Sequence, residues 1–263
     1  MTKLVILSIV FMIGLSLMFK SNKAVQLPVR DKFREEFHQT YPLATGGQVS
    51  IKNIVGTVRI AAWDRDEVRI DAVKSAETQQ ILNDAEIKIE AGPDEISITT
   101  KYPEDTNNLP ATVEYKLTVP RHIDGLVAHM DTAPLYIDGI IGDITASTIN
   151  GELMVHGIAG AAKLSTNNGR LVATFNQLSK NKPVSLQTVN GAIEVTLPAD
   201  ASAEIWANSM HGPIQNDFGL SVRRGEFSGS MLSGVIGGGS PRISLSNDYG
   251  GIHIRRAVAD GRQ

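Results

Sequence analysis

Between Ala146 and Phe175 the chain says nearly the same thing twice: STINGELMV, which starts at Ser147, returns as STNNGRLVA starting at Ser165. Each copy has Ser-Thr, two residues, a glycine, a polar residue and then alternating apolar positions. Repetition at this interval constrains the chain to a stack. One such unit cannot bury its own apolar side chains, whereas neighbours laid against one another can.

Further copies define the unit. A glycine is followed by apolar residues two and four positions on at Gly151 (Leu153, Val155), Gly169 (Leu171, Ala173), Gly191 (Ile193, Val195) and Gly250 (Ile252, Ile254). Gly56 (Val58, Ile60) is an earlier copy, and Gly212 heads a variant in which Asn216 replaces the second apolar residue. A second apolar pair precedes small polar residues: Ile144 and Ala146, Ala162 and Leu164, Val184 and Leu186, Ile205 and Ala207, Ile243 and Leu245. Period-two pairs are strands with one face inward. The expected fold is therefore all-β, a β-solenoid of short two-strand coils over 121–256. Glycine at the corners supplies backbone angles that other residues disfavour, and Ser-Thr precedes it because equivalent turn residues stack.

The corner glycines Gly151, Gly169, Gly191 and Gly212 are almost evenly spaced, whereas the interval from Gly212 to Gly250 is nearly double and holds two units or one unit with an insertion. About five coils at ~4.8 Å per strand step give a stack roughly 24 Å long. Ala133-Pro134 departs from the pattern in the first coil. A twisted antiparallel sandwich is the rival, since Asn-Gly at 150, 168 and 190 is also a hairpin signal.

Before the repeats, 46–120 reads as a β-rich N-terminal part. QVSIKN, GTVRIAAW, DEVRIDAVK and ATVEYKLTVP alternate as strands. SAETQQILNDA is expected to form one short helix capped at Ser75, and AEIKIEAGPDEISITTKY a hairpin about Gly92-Pro93-Asp94. Residues 25–45 read as a polar linker or short helix, and 257–263 as a tail. The segment 1–24 carries Lys3 and then an uncharged apolar run from Leu4 to Phe19, the layout of a signal peptide or N-terminal membrane anchor. The expected location is outside the cytoplasm, periplasmic or at the cell surface, with 4–19 as an inner-membrane anchor if uncleaved. Positive charges just after residue 19 oppose that orientation; the exported β-rich body outweighs them.

Composition excludes several classes. A net charge of −3 and a pI of about 6.1 offer no basic field for nucleic acid. With no cysteine there are no disulfides, thiolate zinc sites or cysteine nucleophiles.

Taken together, EEFHQTYPL, VGTVRIAAWDRDEVRIDAVK, STINGEL, NGAIEVTLP and NDFGLSVRRG resemble the DUF4097 family of adhesin-like domains, from about Phe37 to Arg256. The resemblance implies a repetitive β-helical body behind an export signal or anchor, and it transfers no catalytic site.

Residues able to carry chemistry are dispersed. The six histidines (38, 122, 129, 156, 211, 253) lack HExxH or paired metal spacing. SGVIGGGSPR from Ser233 lacks a phosphate-loop ending and reads as a flexible loop. Trp63-Asp64 is a strand end without propeller recurrence. Asp138, Asp143, Glu152 and Glu194 read as scattered solvated charges rather than the paired carboxylates of a glycosidase. No cofactor or metal is expected. The densest charged group in the repeats is Asp217, Arg223, Arg224 and Glu226, read as a salt-bridged insertion loop and a candidate binding loop. The sequence points to a non-enzymatic adhesin-like protein of the cell envelope with an unidentified envelope partner and self-association through strand edges. The alternatives are an envelope-stress or signalling accessory and, behind it, a polysaccharide-acting β-helix enzyme.

Overall fold

The computed structural model describes residues 33–103, 110–225 and 229–258. The apolar run 4–19 and Glu226 lie outside the described residues. β1 (Phe33–Pro42) precedes the first coil, β2 (Gln48–Val55) and β3 (Val58–Trp63). β4 (Glu67–Ala76), helix α1 (Gln79–Asp84) and β5 (Glu86–Ala91) lead to a second coil, β6 (Glu95–Lys101) and β7 (Thr112–Pro120). Four coils then follow in order: β8 (His122–Thr132) with β9 (Leu135–Asp138), β10 (Ile141–Asn150) with β11 (Leu153–Ile158), β12 (Ala162–Asn168) with β13 (Leu171–Phe175), and β14 (Val184–Asn190) with β15 (Ile193–Leu197). β16 (Ala203–His211) and β17 (Ile214–Asn216) form the next coil. After β18 (Val222–Arg224) and β19 (Ser230–Ile236), the last coil is β20 (Arg242–Tyr249) and β21 (Ile252–Arg256).

The first strand of every coil joins one sheet, here sheet B, and the second joins sheet A. Neighbouring coils pair in parallel, so Ile144 meets Ala162, then Val184, then Ile243. This settles the choice between solenoid and sandwich. Asn150-Gly151 and its equivalents turn a corner from one sheet to the other. They do not fold strands back on themselves. The period-two residues face inward as ladders of Ile, Val, Leu and Ala with Phe175 among the largest buried side chains. Each buried Val, Leu or Ile stabilises the stack by about 1.5–3 kcal/mol.

The corner shows why the repeat contains these residues. A Cβ on Gly151, Gly169, Gly191, Gly250, Gly212 or Gly56 would lie closer than 3.0 Å to the backbone carbonyl of the coil beneath. Only Gly56, Gly191 and Gly250 combine this with a positive φ, of 117°, 152° and 143°. Close approach is therefore the general reason for glycine, and the backbone angle expected from the sequence is an additional one at three corners. The same carbonyls take hydrogen bonds from a buried polar column: Thr148 Oγ1 to Ala133 O (3.2 Å), Thr166 Oγ1 to Gly151 O (3.1 Å), Thr188 Oγ1 to Gly169 O (3.3 Å) and Ser209 Oγ to Gly250 O (2.9 Å). Asn247 does this for Gly191, and Asn53 for Gly56 and Val113. Outside the corner, Asn168 Nδ2 donates to Asn150 Oδ1 (2.7 Å) and Asn190 Nδ2 to Asn168 Oδ1 (2.8 Å). The Ser-Thr-x-Asn-Gly string is thus two stacked ladders around one tight turn.

Stacking does not follow chain order at either end. In both sheets the coil β2–β3 lies between β6–β7 and β8–β9, and the last coil, β20–β21, lies between β14–β15 and β16–β17. The long interval before Gly250 is therefore one coil with an insertion, β18 and β19, which pair antiparallel with each other and, through β19, with β16. Eight parallel rungs result among the described residues, two of them from 46–120, where five were expected from the repeats alone. Antiparallel strands close the other end: β4 pairs with β7 and β1, and β5 with β6.

Several local expectations shift. Residues 33–42 form an edge strand rather than a linker or helix, with Glu35 ion-paired to the buried Lys74 at 2.9 Å. The helix starts later than expected: Ser75 lies in β4, and Thr78 caps α1 by accepting from the Ile81 amide at 3.2 Å. Ser233–Ile236, expected as flexible loop, belongs to β19. Asn216 is the last residue of β17 and turns the chain out of its coil: its Oδ1 accepts from the Phe218 and Leu220 amides and its Nδ2 donates to Leu220 O. Among the described residues no helix is long and apolar enough to cross a membrane.

Two substitutions separate close approach from backbone angle. Gly169→Ala is expected to cost about 3 kcal/mol, because a backbone carbonyl cannot rotate aside. Gly219→Ala, at φ +70° with open space around it, is expected to cost about 1 kcal/mol. Thr166→Val, which leaves the Gly151 carbonyl without its donor, should cost about 1 kcal/mol. Urea denaturation midpoints of the three variants check the order.

Candidate binding surface

Alternation that buries Ile205 and Ala207 turns Trp206 and Asn208 outward on β16. Trp206 stands beside Ser244 of β20 and Ser233 of β19; Asn208 stands beside Ser246 and Met231. Arg223 of β18 is opposite Met231. Small side chains on β14 and β20 leave a shallow groove of about 550 Å³ next to the indole, with Arg223 and Met231 as its far wall. Trp206 is 47% exposed and Met231 59%, an unusual exposure for large apolar side chains on a sheet face. The Arg242 guanidinium lies 5.9 Å from the Trp206 ring centroid and its Nε donates to Glu204 Oε2 at 3.2 Å, so Glu204 is already paired.

The charged group singled out in the sequence is not one loop. Arg223 faces this groove, while Arg224, its neighbour on a strand, lines a separate hollow of about 460 Å³ with His211 and Pro213. Asp217 is at the edge of sheet A, where its Oδ2 accepts from the Arg256 amide at 3.1 Å. Among the described residues no ion pair joins Asp217 to either arginine. Sequence reasoning misses Trp206, whose outward position between Ile205 and Ala207 is the signal that could have found it.

Two of the four carboxylates, Glu152 and Glu194, are less scattered than expected. Arg170 lies 2.8 Å from Glu194 and 3.9 Å from Glu152, and Arg255 lies 3.6 Å from Glu194. This is a partly exposed ladder of matched charges in which the carboxylates are occupied by guanidinium groups. Asp143 binds Lys182 Nζ at 2.8 Å and accepts from the Ala161 amide at 3.0 Å. Three histidines each contact the next rung: His129 Nδ1 is 2.7 Å from Ser147 Oγ, His156 Nδ1 is 3.2 Å from Thr174 Oγ1, and His211 stacks on Tyr249 at 4.8 Å; His38, on β1, lies 2.7 Å from Asp71 Oδ1 and 3.7 Å from Glu36 Oε2. Among the described residues no three His, Cys, Asp or Glu side chains are grouped to hold a metal ion.

A two-sheet parallel solenoid with glycine corners and capped ends defines a class of repetitive β-proteins. The chain belongs within it to the DUF4097 (Toastrack) family, matched over residues 36–255. A "putative cell adhesion protein" from Clostridium sporogenes is similar to it, at 16% identity and a TM-score of 0.51, covering 85% of this chain and 100% of that one. A "putative adhesin" from Bacteroides fragilis is 11% identical with a TM-score of 0.32, covering 85% and 97%. The first likeness shows a shared fold. No curated protein matches the sequence.

Burial opposes the charge on Asp143, but the hydrogen bonds from Lys182 and the Ala161 amide outweigh it and hold this carboxyl below its ordinary value of 3.8. A depressed carboxylate contributes stability that is present above the unfolded-state pKa and lost as pH falls through the lower folded one. The urea midpoint of Asp143→Asn is therefore expected to lie below that of the parent by a constant amount above about pH 5, and the gap to close under acid conditions.

Proposed function

We propose that this is an exported, non-catalytic adhesin-like protein that presents the outer faces of its solenoid for binding in the cell envelope. The observation that carries the reading is the distribution of polar chemistry. Carboxylates, histidines and arginines are spread over successive rungs of two broad faces, and several are paired with a group on the next rung. The cluster Glu152–Arg170–Glu194–Arg255 has its carboxylates engaged by arginines. Catalysis of glycoside cleavage calls for two carboxyl groups flanking one bond, one of them protonated. The opposite sheet bears a groove with an exposed tryptophan, as a recognition surface requires. The adhesion description of the Clostridium sporogenes protein supports the reading, and so does the charged start and apolar run of residues 3–19.

The test is made in the producing cells with a C-terminal tag on the whole chain. External protease is expected to digest the body in intact cells or in spheroplasts, and envelope polysaccharide incubated with the purified chain is expected to show no new chain ends. Protection in both preparations overturns the export; new chain ends overturn the non-catalytic role.

A further inference from the structure

The groove beside Trp206 continues into ordered rows. Because the coils are in register, Trp206, Ser244, Ser185 and Lys163 form one outward row across four consecutive strands. Three strand steps of ~4.8 Å put the two ends of the row about 14 Å apart along the solenoid axis. The row beside it runs from Arg223 through Met231, Asn208, Ser246 and Gln187. The first row begins at the indole, and the second, which starts two strands away at Arg223, passes it at Asn208; serine is the commonest residue at the outward positions of the strip they form.

This lining discriminates between ligand chemistries. An exposed indole face stacks on the C–H face of a sugar ring, an arrangement favoured by the negative charge on the π-face. Hydroxyl and amide side chains flank it on both sides and supply paired donors and acceptors. A lipid tail laid here would leave the hydroxyl and amide groups of Ser185, Ser244, Ser246, Gln187 and Asn208 without partners. Among the described residues no carboxylate lines the groove. Arg223 closes one end of the strip and Lys163 stands at the other, so the electrostatics favour an acidic ligand with charges at more than one position along its length. A guanidinium also offers the planar fork that a carboxylate fits.

We infer that this strip binds a linear saccharide bearing carboxylates, stacked on Trp206 and laid along the solenoid axis between Arg223 and Lys163. The inference rests on the non-catalytic binding reading above and names the ligand class for it. Each sugar ring lies across successive strands, the indole fixes one ring, and the two cations take uronate groups to either side of it.

The chain purified from its host is titrated calorimetrically with tetragalacturonate and with a neutral galactose tetramer, in low and high salt. Saturable binding of the acidic tetramer is expected, with the neutral one weaker by about tenfold and the difference reduced by salt. Trp206→Ala should weaken both ligands by about tenfold. Arg223→Ala and Lys163→Ala should each weaken the acidic tetramer by about threefold and leave the neutral one unchanged, while Arg223→Lys retains part of the preference. All four substitutions are at outward positions, and unchanged melting by circular dichroism shows that the fold persists. No saturable binding of the acidic tetramer, equal affinity for the two tetramers, or unchanged affinity in both charge variants overturns the inference. A chain that external protease digests but that does not bind the acidic tetramer loses this site assignment and keeps its envelope role. A chain protected from protease loses the envelope role whatever it binds.

Discussion

The corner between the two sheets is the constraint on which the rest of the structure depends. There the carbonyl of one coil lies against the α-carbon of the glycine above it, and a threonine, serine or asparagine hydroxyl or amide from the core supplies its hydrogen bond. Remove the glycine and the coils cannot approach to ladder distance. Remove the inward donor and a buried carbonyl is left unpaired, which costs about 1–3 kcal/mol. The apolar ladders of both sheets are in register only because this corner repeats at the same height in each coil.

Regular corners also explain how the ends are built. A uniform stack exposes strand edges at both ends, and exposed edges invite pairing with other chains. Here the terminal coils are laid down out of order and covered by antiparallel strands, leaving β1 and β17 as the edges of sheet A and β5 and β18 as those of sheet B among the described residues. β17 and β18 are very short strands. β1 carries Arg34, Glu35 and Glu36, charges that disfavour a neutral intermolecular ladder. Inserting β20 beside β16 also brings Ser244 next to Trp206, so the end-capping arrangement and the candidate binding strip come from the same departure from chain order.

Much of this was legible in the residues. Alternating Ile, Val and Leu gave the inward positions, the Asn-Gly strings marked the corners, and the near-even spacing of Gly151, Gly169, Gly191 and Gly212 implied coils. Asn216 reads as a defect in a repeat and is the residue that ends its coil. What was not legible involves contacts that chain distance does not report. Asp217 and Arg223 are close in the chain, yet Asp217 bonds to Arg256 at the edge of sheet A while Arg223 is in sheet B, whereas Glu152 and Glu194 are distant in the chain and share Arg170.

The sequence by itself determined the coil unit: alternating strands, a glycine corner and stacked polar residues beside it. Those features depend on local period and on the size of one side chain, and each coil repeats them. Only the tertiary structure decided that the corners join two parallel sheets, in what order the coils lie, and therefore which outward residues are neighbours. A period-two pattern states which face a residue occupies, but every coil offers the same apolar ladder to its neighbours, so the pattern does not say which coil lies against which. That choice is made at the ends, where β4, β5, β18 and β19 pair antiparallel with strands the repeat alone would leave open.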